Sequence, residues 1–171
     1  MGQLAAQVAL STAGPDDRAE ALADLVEALG EVREYQRAPA LALTITHPRC
    51  RAEALIGLVA TFAGAGRRDQ AMELADEVDR AVLELNEPQT KVEALARLFT
   101  VLRSAGERDR ALEALLAARN AADAGEDRRD QAKALTHLAW AVLEAGERNQ
   151  ALELAEAADT ATRASRDNLW G

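Results

Sequence analysis

Gly66, Gly106 and Gly146 recur every 40 residues in nearly the same surroundings, and this recurrence constrains the fold more than any other feature of the chain. The flanking segments read Ala65-Gly66-Arg67-Arg68-Asp69-Gln70-Ala71, Ala105-Gly106-Glu107-Arg108-Asp109-Arg110-Ala111 and Ala145-Gly146-Glu147-Arg148-Asn149-Gln150-Ala151. Self-similarity at a fixed period of this length signals stacked supersecondary units that cover one another, not one closed core.

Each glycine follows an apolar stripe at helical spacing. Leu55, Leu58, Val59 and Phe62 fall at i, i+3, i+4 and i+7, the mark of one buried helix face. The stripe returns as Leu95, Leu98, Phe99 and Leu102, and as Leu135, Leu138, Ala139 and Val142. A fourth copy, Leu22, Leu25, Val26 and Leu29, precedes the first of these by 33 residues. A second stripe starts after each glycine: Ala71, Leu74, Ala75, Val78 and Val82; Ala111, Leu115 and Ala118; Ala151, Leu154, Ala155 and Ala158. The unit is therefore a helix A, a tight turn and a helix B, and strand-type alternation is absent throughout.

Glycine suits the turn because a helix commonly ends on a residue in the left-handed conformation, where only Gly avoids a Cβ clash. Asp69 and Asp109 then favour the positive N-terminal end of helix B. In the first unit Arg33 stands where the others have glycine, and Gly30 offers an earlier helix end. Gly14-Pro15, His47-Pro48 and Glu87-Pro88 mark joints between units, since proline is tolerated in a first turn but not in a helix interior. Ala124-Gly125-Glu126-Asp127 forms the last joint without proline, and Thr90-x-x-Glu93 has the spacing of a capping box. Pro39 falls in the first turn of a helix B, where N–H groups lack partners anyway.

The pattern of Leu-x-x-Leu, an apolar residue four positions on, Gly four later and then x-x-x-x-Ala resembles the tetratricopeptide helix-turn-helix repeat. The last three units resemble a lengthened form, as in the Ala/Arg-rich repeats appended to large actinobacterial regulatory ATPases. The resemblance implies an all-α fold, a right-handed α-solenoid of antiparallel helix pairs. Residues 1–171 would form one domain, with a leading half unit at 1–14, pairs at 15–48, 49–88, 89–127 and 128–166, and a tail at 167–171. Residues 3–12 read as a helix B without its helix A, and Asn168-Leu169-Trp170 as an apolar tail able to fold back over the last pair.

The resemblance also implies non-catalytic recognition of a protein or peptide on a concave face lined by helix A. Its groove positions would be Glu20, Ala23, Asp24 and Glu27; Glu53, Ile56, Gly57 and Ala60; Glu93, Arg97, Thr100 and Arg103; and Lys133, Thr136, His137, Trp140 and Glu144. Among these, Glu27, Arg97, Thr100, Arg103, Lys133, His137, Trp140 and Glu144 are the candidate partner-binding residues. Trp140 stands out as a large aromatic in the register of Ala60 and Thr100, with packing against Trp170 as its alternative role. Arg97 and Arg103 suit a carboxylate ligand or surface pairs with Glu93 and Glu107. Two further readings are a sensor or autoinhibitory segment of a larger multidomain regulator of the STAND/NACHT ATPase type, and a module that self-associates end to end.

Composition narrows the classes of function. The formal net charge of −9 gives no electrostatic route to a phosphate backbone, so nucleic acid is not an expected partner. No apolar run reaches the roughly 18 residues of a membrane span, and Met1–Ala6 carries neither a basic signal-peptide start nor a myristoylation motif. The single cysteine, Cys50, fits a reducing cytoplasm; its place at a helix start allows a lowered pKa, but an inert thiol is the simpler expectation. His47 and His137 have no ligand cluster beside them, and no phosphate-binding glycine loop or nucleophile elbow surrounds Ser11, Ser104 or Ser165. No enzyme activity, metal or cofactor is expected.

The alanines at 71, 111 and 151 let helix B approach helix A closely. Ala111→Leu is expected to overpack that contact and cost about 1–3 kcal/mol. Denaturant unfolding checks this, and a variant as stable as the parent would show that the contact is loose.

Overall fold

The computed structural model describes residues 14–125 and 127–167, and among these every regular element is an α-helix. The expected half helix at residues 3–12 and the tail at 168–171 lie outside the described residues. The helices are α1 (Pro15–Glu31), α2 (Arg37–Ala42), α3 (Pro48–Gly64), α4 (Arg68–Leu83), α5 (Pro88–Ser104), α6 (Arg108–Asp123), α7 (Arg128–Glu144) and α8 (Arg148–Asp167). They divide into two compact units, Met1–Glu84 and Leu85–Gly171.

In the first unit α1 packs against α2 and α3, and α3 packs against α4. The expected helix A stripe of α3 is buried in full at Leu55, Leu58, Val59 and Phe62, as is the helix B stripe of α4 at Ala71, Leu74, Ala75, Val78 and Val82. Ile56, expected in a groove, is instead buried beside them. With Ala52 it widens the apolar face of α3, a helix with packed neighbours on more than one side. In α1 the stripe is only partly covered: Val26 is buried, Leu22 and Leu29 are half-buried, and Leu25 is exposed. Tyr35 meets Phe62 edge-on, with ring centroids 5.0 Å apart, and the Arg67 guanidinium lies 4.3 Å from the Tyr35 centroid. Arg51 of α3 also forms an ion pair with Glu84, the C-cap residue of α4.

In the second unit α5 packs on α6 and α7, and α7 packs on α6 and α8. Leu95, Leu98, Phe99 and Leu102 of α5 and Leu135, Leu138, Ala139 and Val142 of α7 are buried as the periodicity requires. Ala111, Leu115 and Ala118 of α6 are buried too. One stripe position departs: Ala155 of α8 is exposed although its counterparts Ala75 and Leu115 are buried.

The turns follow one design. Gly66, Gly106 and Gly146 have φ of 73°, 81° and 84°. In each, the next residue donates its N–H back to the helix A carbonyl five positions earlier: Arg67 to Phe62 at 2.9 Å, Glu107 to Leu102 at 2.9 Å and Glu147 to Val142 at 3.1 Å. This is the bond that closes a helix on a left-handed residue. Gly30 does not end α1. The helix continues to Glu31, Arg33 takes φ 62°, and Glu34 donates to Leu29 at 2.9 Å. Arg33 thus makes the glycine's turn without a glycine. Gly30 is buried instead, and a Cβ there would lie 3.4 Å from Leu58 Cδ2, so its smallness serves the approach of α1 to α3.

The three prolines open helices, whereas the capping-box spacing does not cap one. Pro15, Pro48 and Pro88 each occupy the first turn of a helix. Because Pro88 opens α5, Glu87 is the N-cap and Thr90 lies inside the helix, where its hydroxyl donates to Glu87 Oε2 at 3.2 Å. At the joint without proline, Asp127 caps α7 by accepting the Arg129 N–H at 2.7 Å. Pro39 does sit in the first turn of α2, but that helix has 6 residues against 16 in α4 and α6.

The four turns allow a test of opposite signs. Arg33→Gly removes a left-handed side-chain clash and is expected to stabilise by about 0.5–1 kcal/mol. Gly106→Ala, whose new Cβ would meet nothing within 4 Å, is expected to cost about 1 kcal/mol through the backbone alone. Denaturant unfolding of both variants checks the pair, and shifts of the same sign would refute the common turn design.

Candidate functional site

A groove opens between α7 and α8 in the second unit, with a volume of about 670 Å³. Its walls are Ala139, Trp140 and Leu143 from α7 and Ala151, Leu152, Ala155 and Ala158 from α8. Helical spacing creates it: positions i, i+1 and i+4 of α7 and i, i+1, i+4 and i+7 of α8 each form one face. Trp140 is 62% exposed and Leu152 is 62% exposed, so the walls are apolar and open to a ligand. Thr136 donates its hydroxyl to the Ala132 carbonyl at 2.7 Å and Thr162 to Ala158 at 2.8 Å, so neither hydroxyl needs a partner from the groove.

A second depression, of about 590 Å³, adjoins the first and shares Thr136, Trp140 and Thr162 with it. Here the lining turns cationic, with Arg129, Lys133 and Arg166 around His137. Lys133 is held by Asp130 at 2.8 Å, a bond between exposed side chains that a ligand carboxylate can replace at little cost. Of the eight residues expected to bind a partner, the structure brings Lys133, His137 and Trp140 together at this site.

The remaining five lie elsewhere. Glu27 is exposed on α1 in the first unit, Arg97 is exposed on α5, and Glu144 is exposed at the end of α7. Thr100 is half-buried and donates to the Ala96 carbonyl at 3.0 Å. Arg103 is half-buried. Its guanidinium forms an ion pair with Glu147, in the turn before α8, and so ties α5 to the next helix pair.

The α8 wall of the groove is absent from the expected site, which was confined to helix A. A signal for it exists in the repeat. Leu112 and Leu152 share one register in helix B, outside the core stripe, and both are exposed. An apolar residue that recurs off the core face marks a second surface. Among the described residues no group of three His, Cys, Asp or Glu side chains is placed to hold a metal ion, and no helix is long and apolar enough to cross a membrane. Asp159, at the groove edge, is paired with Arg163 at 2.6 Å.

Neither a protein-family model nor a curated protein matches the sequence. The chain is similar to the crystal structure of Ton1535 from Thermococcus onnurineus NA1, with a TM-score of 0.61 and 18% identity. The match covers 98% of this chain and 50% of that one, so the chain spans about half the length of the solved protein. At this identity the likeness is one of fold.

Cys50 is half-buried in the first turn of α3, where its N–H donates to Nδ1 of the N-cap residue His47 at 3.4 Å. Burial pushes its thiol above the ordinary value, and the Glu53 and Glu20 carboxylates add to the rise against the opposing charge of Arg49. The helix start therefore does not activate it. A raised pKa leaves less thiolate at any given pH, so the alkylation profile moves to higher pH. Iodoacetamide at pH 8 is expected to react with Cys50 at least about twofold more slowly than with an unstructured cysteine peptide, and an equal or faster rate would show an activated thiol.

Proposed function

We propose that the chain is a tetratricopeptide-like repeat scaffold, a right-handed solenoid of antiparallel helix pairs that recognises a protein or peptide without catalysis. The observation that carries this reading is Trp140. A large aromatic side chain lies exposed where the matching helix A positions hold Ala60 and Thr100, and it joins an apolar groove to a cationic depression. Exposed aromatics flanked by charge are the usual anchors of a binding surface. The arrangement suits an amphipathic segment whose apolar residues enter the groove while its carboxylates face Lys133, Arg129 and Arg166. Glu144, Arg97 and Thr100 would extend the contact along helix A in the second unit, and Glu27 would serve the first. The net charge of −9 and the absence of a spanning helix among the described residues support a cytoplasmic protein partner over nucleic acid or membrane.

Selection from a displayed peptide library tests the proposal. Enriched peptides are expected to combine apolar residues at helical spacing with acidic residues, and Trp140→Ala or Lys133→Glu is expected to weaken them at least about tenfold. Because both side chains are exposed, the variants should unfold within about 0.5 kcal/mol of the parent. Peptides that bind parent and Trp140→Ala equally well would remove the site.

A further inference from the structure

The α7/α8 groove has a covered counterpart inside the same unit. Forty residues before its lining residues Thr136, Ala139, Ala155, Ala158 and Thr162 stand Ala96, Phe99, Leu115, Ala118 and Ala122, and all five are buried. The helix that packs on α5 and α6 is α7, whose buried residues include Ala134, Leu135 and Leu138. The fold thus shows what this kind of groove receives: a helix A.

Among the described residues, α1 is a helix A whose matching positions are more exposed. Aligned on its left-handed residue, α1 places Ala21, Leu22 and Leu25 where α7 has Ala134, Leu135 and Leu138. Ala21 is exposed, Leu22 is half-buried and Leu25 is 42% exposed, whereas the three residues of α7 are buried. Charge adds direction. Asp16, Asp17, Glu20, Asp24, Glu27 and Glu31 make α1 strongly acidic, with Arg18 as its single base. The groove on α7 and α8 continues into the cationic depression of Arg129, Lys133 and Arg166.

We infer that the α7/α8 groove of one molecule receives α1 of a second copy. The contact is heterologous, using different surfaces on the two molecules, so it adds copies in one direction rather than closing a two-fold dimer. The acidic helix against a cationic rim makes it weaken with salt. Both readings use the α7/α8 groove, but Leu25 belongs to this interface alone and takes no part in the proposed peptide recognition, so Leu25→Glu separates the failure of one from the failure of the other.

Sedimentation velocity over a concentration and salt series provides the test. The weight-average mass of the full chain is expected to rise at least about twofold over a hundredfold increase in concentration, and to fall again in molar salt. Leu25→Glu and Ala155→Glu each alter one of the two contact surfaces at an exposed position, and each alone is expected to stay monomeric with the parent's melting curve. If Leu25→Glu melts lower, Ala21→Glu disables the same face. Mixed in equal amounts, the two face variants retain one intact face each and should form a one-to-one dimer and nothing larger. A full chain that is monomeric throughout, or association undiminished in both variants, overturns the inference. So does association that appears only after deletion of residues 168–171, which would assign the groove to the chain's own tail.

Discussion

One backbone feature sets the rest of the architecture: the left-handed residue that ends each helix A. At Arg33, Gly66, Gly106 and Gly146 the positive φ reverses the chain, and the following N–H closes the preceding turn. Because the reversal is fixed to one residue, the distance from it to each core position is fixed as well. Phe62, Leu102 and Val142 sit four residues before their glycines, and Ala71, Ala111 and Ala151 sit five after; all are buried. A shift of the turn by one residue would rotate helix B by about 100° and expose its stripe. The alanines then permit the close contact between helices that the short turn demands.

The first unit shows that the geometry is required and the glycine is not. Arg33 bears the strain of a left-handed side chain and still makes the same bond. What differs is the helix that follows. Pro39 stands third in α2, whose run ends at Ala42 before the His47-Pro48 joint. That shortening is the physical content of the 33-residue spacing between the first two stripes. It also leaves α1 with a short partner, which fits the partial exposure of Leu22, Leu25 and Leu29.

Helices, turns and joints were legible in the sequence because each depends on local chemistry at a regular spacing. The stripes of α3, α4, α5, α6 and α7 needed only the period of the helix, and Pro15, Pro48 and Pro88 needed only the lack of an N–H. Properties that depend on neighbours were not legible. Ile56 occupies a groove register and is buried, because the apolar face of α3 is wider than the repeat average. Thr90-x-x-Glu93 has the spacing of a capping box, but Pro88 moved the helix start ahead of it. Arg103 has acidic residues near it in sequence and pairs with one 44 positions away. In the candidate site, Lys133, His137 and Trp140 follow from the helix A register, and the α8 wall does not, because the meaning of an exposed leucine in helix B depends on which helices pack beside it.

The last pair departs from the repeat at the positions that line the groove. Phe99 and Leu115, which are buried in the preceding pair, become Ala139 and Ala155, and these two exchanges hollow the floor of the groove. At the rim the change runs the other way: Thr100 becomes Trp140, and Arg103, which holds Glu147, becomes Leu143. Small residues below and large apolar residues above make a receptacle, whereas a surface adapted to water alone would become polar at every one of these positions. The same exchanges would destabilise an interior pair, since replacing a buried Phe or Leu with Ala costs about 2–5 kcal/mol. In the last pair, among the described residues, these positions line an open groove rather than a filled interface, and Trp140, Leu143 and Leu152 keep its rim apolar.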